Sequence, residues 1–135
     1  MKNNLFKKII IIFCAFLLCG CASEEKEQPS QDKIKDTINT NLEKIMSVSD
    51  ATSSNPYDYT KNEYFKNIIA IGKQALPVIE EMYENKELNS LNAYIAALAI
   101  QEIADCNLNE KYNIDWINAD EFFANWKTKN CGLKN

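Results

Sequence analysis

Residues 90–104, SLNAYIAALAIQEIA, decide the fold. Leu91, Tyr94, Ile95, Leu98, Ala99 and Ile103 recur at spacings of three and four, which places them on one face of an α-helix and predicts a buried stripe. Ala93, Ala96 and Ala97 keep that helix slim, so that neighbouring helices can pack closely against it.

The same period extends upstream. Gln74 to Asn85 reads as a helix with Leu76, Ile79, Met82 and Tyr83 inward. Pro77 falls in its first turn, where a missing N–H costs little. Before it, Thr60-Lys61-Asn62-Glu63 has the form of a capping box, predicting a helix through Ile71. Its face is Tyr64, Phe65, Ile68, Ile69 and Ile71, and Gly72 is suited to end it. Ser47 to Tyr59, with Asn55-Pro56, has a loop composition. From Asp32, apolar positions Ile34, Ile38, Leu42, Ile45 and Met46 predict a first helix, with Ser30 as its cap.

Downstream, Asn118-Ala119-Asp120-Glu121 is a start signal for a short helix carrying Phe122, Phe123 and Trp126. Five helices are expected, giving a small all-α domain. A content of 46% hydrophobic and 10% aromatic residues supports a folded globule, and three Gly with three Pro disfavour a turn-rich all-β fold.

The run from Ile71 to Ile79, Ile-Gly-Lys-Gln-Ala-Leu-Pro-Val-Ile, followed by the Ala-rich helix to Ala104, resembles a HEAT-like repeat. The resemblance covers about Ile68 to Ala104 and implies one antiparallel helical hairpin of a kind used for protein binding. This chain departs from the pattern in lacking an Arg early in the second helix and a second copy of the motif.

At the N-terminus, Lys2, Lys7 and Lys8 precede the apolar run Ile9 to Leu18, which is the layout of an export signal. The apolar stretch is short for a permanent span, which needs about 20 residues. Leu18-Cys19-Gly20-Cys21 resembles the lipobox of bacterial lipoproteins. That resemblance implies lipidation of the Cys21 thiol and cleavage between Gly20 and Cys21. The alternatives are an ordinary secretory signal cut after Ala22, or an uncleaved anchor. The expected organisation is therefore a signal peptide over 1–20, a lipidated flexible tether over 21–31 and an all-α extracytoplasmic domain over 32–135. The expected location is the outer face of the cell membrane, held by the lipid on Cys21.

The whole chain carries a formal charge of −4. Without the three signal lysines, 12 Lys face 19 Asp and Glu, a net −7. That balance opposes nucleic-acid binding and adhesion to anionic lipid. With Cys14 and Cys19 in the signal and Cys21 lipidated, Cys106 and Cys131 remain, either as one disulfide or as two free thiols. A bridge across 25 positions is worth about 3 kcal/mol in the chain-entropy view.

There is no His, which excludes Ser-His-Asp and Cys-His catalysis and every His-ligated metal site. Asp105, Asn107 and Asn109 imitate the start of an EF-hand loop. Glu110 then stands where Gly is needed, and Trp116 where a bidentate Glu should close the sphere. An ordinary polar loop is the expectation, with no metal or cofactor. Tyr57, Tyr59 and Tyr64 with Phe65 read either as an aromatic platform or as a loop packed on its own core, and the second is the expectation. Glu80, Glu81, Glu84 and Glu87 read as a solvated helix face. The expected function is a non-enzymatic helical binding module with a protein or cell-wall partner. The alternative is an immunity or inhibitor lipoprotein that neutralises a toxin or hydrolase.

Overall fold

The computed structural model describes residues 29–48, 53–129 and 131, which form helices joined by turns and loops, with no strand among them. Gly20, Cys21 and the rest of the expected signal, with the tether through residue 28, lie outside the described residues.

Helix α1 spans Gln31–Val48. Ser30 caps it: its carbonyl accepts from Ile34 N at 3.1 Å and its hydroxyl from Lys33 N at 3.4 Å. The start lies one residue before Asp32, inside the segment expected to be tether. Helix α2 covers Glu63–Ala70, α3 Ala75–Glu84, α4 Ser90–Ile103, α5 Leu108–Tyr112 and α6 Ala119–Lys129. A 3₁₀ turn, Pro56–Thr60, precedes α2, and another, Gly72–Gln74, leads into α3.

The α2 cap is Asn62, whose Oδ1 accepts from Phe65 N at 3.0 Å, and not Thr60. The Thr60 hydroxyl is turned back onto Tyr57 O at 2.9 Å, where it closes the 3₁₀ turn and is lost to the helix. Gly72 ends α2 at φ +73, a left-handed conformation in which a side chain would be strained. Three other helix ends reach that region without glycine, among them α5 at Asn113 with φ 54. After α3, Lys86 sits at φ 57, with Glu87 N donating to Met82 O and Lys86 N to Tyr83 O, both at 3.0 Å. After α4, Asp105 at φ 49 repeats the arrangement, and the turn delivers Cys106 into the core.

Helix α4 is the axis of the domain. It contacts α2, α3, α6 and the Pro56–Thr60 turn, and every residue from Ile95 to Ile100 is buried. The sequence stripe is corrected here. Leu91, Tyr94 and Ile103 are only half-buried, whereas Ala96, Ala97 and Ile100, off the stripe, are fully enclosed. A stretch apolar on all sides, as Ile95 to Ile100 is, is satisfied only by neighbours on all sides. Helix α1 lays Ile34, Ile38, Leu42 and Ile45 on α2 and α3. Its one buried polar residue, Asn41, donates to Thr37 O at 2.7 Å and accepts from Asn67 of α2 at 3.3 Å, so no hydrogen-bonding capacity is stranded there.

Candidate functional site

The C-terminal helix meets the end of α3 and the start of α4 through aromatic rings. Tyr83 stacks on Phe123 with centroids 3.8 Å apart, and Phe122 meets Phe123 edge-on at 5.3 Å. Trp116 links Phe122 at 4.9 Å to Tyr94 at 4.5 Å. Phe122, Phe123 and Trp126 are buried, and all three close the core.

Polar contacts fix the same seam. The Trp126 indole N–H donates to Glu80 Oε1 at 2.7 Å. Lys127 pairs with Glu84, and the Tyr83 hydroxyl donates to Asp120 Oδ1. That bond, helped by burial and by the charge of Asp120, pushes the Tyr83 phenol up to about 12. Glu87 reaches the other way, to Lys35 of α1 at 2.6 Å, and this hydrogen bond holds its carboxyl below the usual range. The row Glu80, Glu84 and Glu87, read as a solvated face, ties three helices together. Only Glu81 among the four has no side-chain bond among the described residues.

Cys106 and Cys131 are brought together and joined, their Cα atoms 6.0 Å apart. The bridge pins the end of α6 to the end of α4.

Above the aromatic seam lies an open cleft of about 660 Å³. Leu88, Leu91 and Tyr94 form its apolar floor, with Tyr83 and Pro56 at the sides. Ile117, at 80% exposure, stands on the rim. Local chemistry holds that rim in place: Asn118 Oδ1 accepts from Glu121 N, and Glu121 Oε2 accepts from Ile117 N, both at 2.9 Å. Burial raises the Tyr94 phenol, with Tyr57 contributing second. The carboxylates of the cleft, Glu84 and Asp120, are engaged by Lys127 and Tyr83. Such a surface can enclose apolar side chains and accept hydrogen bonds.

The other sequence candidates disperse. Tyr59 and Phe65 are buried, Tyr64 is half-buried and Tyr57 alone is exposed, so the four do not form a platform. Asn107 caps α5, accepting from Asn109 N at 2.9 Å and Glu110 N at 3.3 Å, and Asn109 donates to Asp115. Among the described residues no group of three or more His, Cys, Asp or Glu is arranged to hold a metal, and no helix is long and apolar enough to cross a membrane. The cleft itself was not anticipated. Its signal in the sequence is Leu88 and Ile117, large apolar residues stranded outside every helical stripe. Compared with known protein families, curated proteins and solved structures, the chain matches none.

Proposed function

We propose that this chain is a lipid-anchored extracytoplasmic binding module whose helical domain docks a protein partner in the cleft between α3, α4 and the start of α6. The cleft carries the proposal. A half-buried apolar floor beside an isoleucine that spends 80% of its surface in water is costly in a free protein and useful in a complex. Anchoring is proposed on the lipobox resemblance, with Cys21 as lipid acceptor and Gly20-Cys21 as the cleaved bond. A non-enzymatic role is supported by the lack of His and by the engagement of both cleft carboxylates.

A photo-reactive amino acid in place of Ile117, in cells expressing the full chain, should yield a discrete protein adduct on illumination, while the same residue at exposed Thr40 of α1 should not. Absence of any adduct specific to position 117 contradicts the docking proposal. Globomycin should block processing, and Cys21→Ser should abolish membrane retention. Unchanged processing and retention would refute the anchor.

A further inference from the structure

The cleft does not end at Tyr94. Pro56 lines it, and the next residue, Tyr57, lines two smaller depressions of about 280 and 270 Å³ that share Gln101, Asn107 and Glu110. Trp116, stacked on Tyr94 of the cleft, lines the second of them. An apolar groove thus runs over an aromatic ridge into a polar shelf.

The shelf has one sign of charge. Glu102, Asp105, Glu110 and Asp115 line it, all four are exposed, and no lysine lines either depression. None of the four takes part in a salt bridge among the described residues. Three acids outside the shelf are paired with lysines, Glu87 with Lys35, Asp58 with Lys61 and Glu84 with Lys127. Within the cleft, Lys86 is the one cation among the lining residues. Like charges left together without counter-charges repel one another, and a cationic ligand would relieve that repulsion.

We infer that cleft and shelf form one docking surface for a basic amphipathic segment of a partner protein, with its apolar side chains over Leu88, Leu91 and Ile117 and its Lys or Arg side chains over the acidic shelf. This rests on the proposal that the cleft binds protein, and it adds the chemistry of the bound segment. Apolar burial supplies affinity, and the shelf selects charge and speeds encounter. A nucleic acid or an anionic membrane is repelled by the same shelf.

The test uses the full chain in its own membranes, with the photo-reactive residue at position 117. Three peptides of equal length are offered: amphipathic Lys/Leu, amphipathic Glu/Leu, and Lys/Ser with the same charge and no apolar face. The Lys/Leu peptide should label position 117 at least about tenfold more than either control, because both contributions must act together. Glu102→Lys with Glu110→Lys should cut that labelling about tenfold, and Lys86→Glu should raise it. Neither change touches a buried side chain, and an unchanged melting curve verifies the fold. Equal labelling by Glu/Leu or Lys/Ser, indifference to the shelf substitutions, or adducts only between two copies of this chain would each overturn the inference. The adduct formed in cells separates the two proposals: a captured segment that is not basic sinks the inference and leaves protein docking standing, whereas no captured protein sinks both.

Discussion

The two sides of α3 are closed in different ways. On one, α1 contributes Ile34, Ile38, Leu42 and Ile45, aliphatic side chains with no directional demand, plus the Lys35–Glu87 pair. On the other, α6 contributes stacked rings, an indole bond to Glu80 and a phenol bond to Asp120, and is itself pinned to the end of α4 by the Cys106–Cys131 bridge. Aliphatic packing tolerates small shifts, while rings and hydrogen bonds specify one register. The specified side is also the one bearing the cleft. A short helix held that firmly keeps Ile117 on the rim, which preorganises the surface and lowers the ordering cost of binding.

Truncation should break the aromatic side hardest. Phe122, fully buried against three rings, should cost about 4 kcal/mol when changed to Ala, against about 3 kcal/mol for Ile38→Ala on the aliphatic side, both read from urea denaturation. Equal costs would erase the distinction. Replacing Cys106 and Cys131 together by Ser should remove about 3 kcal/mol. Unreduced wild-type protein should show neither of these thiols by alkylation and mass measurement, and reactivity at both would remove the bridge from the account. Trp126→Phe keeps the ring and deletes the donor to Glu80, a loss of about 1.5 kcal/mol. Glu80→Gln, which retains an acceptor, should cost less.

Two smaller effects sharpen the picture at the corner where the sides meet. Lys86→Gly relieves a left-handed backbone and should stabilise the domain by about 1 kcal/mol. The Tyr83 phenol is pushed up to about 12, above its unfolded value near 10. Its stabilising contribution is therefore complete below about pH 10 and is lost as pH rises from there toward about 12. Denaturation midpoints should fall across that window, and Tyr83→Phe should flatten the fall relative to wild type. Identical slopes would remove the Asp120 bond from the account.

The aliphatic side was legible because a three-four period reports a helix with one buried face, as in α1. The period misreads α4, because its middle, Ile95 to Ile100, is enclosed on every side and leaves no single stripe to find. Asn118 was legible as a cap since its partner is local in sequence. Asn62 was missed because Thr60 offers a better local pattern, and only the preceding turn shows its hydroxyl to be occupied. Helix α5 reads from sequence as a polar loop, because one apolar residue, Leu108, anchors it, too few for a period. The anchoring roles of Glu80 and Tyr83 depend on residues 46 and 37 positions away, a separation no local pattern records. The cleft is invisible for the same reason: Pro56, Leu88 and Ile117 become neighbours only when α4 brings three connections together.

The central claim is that the aromatic side of the domain is its working face. Hydrogen exchange of the full chain in its membrane, with and without the Lys/Leu peptide, tests it most directly. The account predicts slowed exchange over residues 84–94 and 115–121 and no change over 31–48 or 63–70. Protection on α1 and α2 with none around the cleft would contradict it.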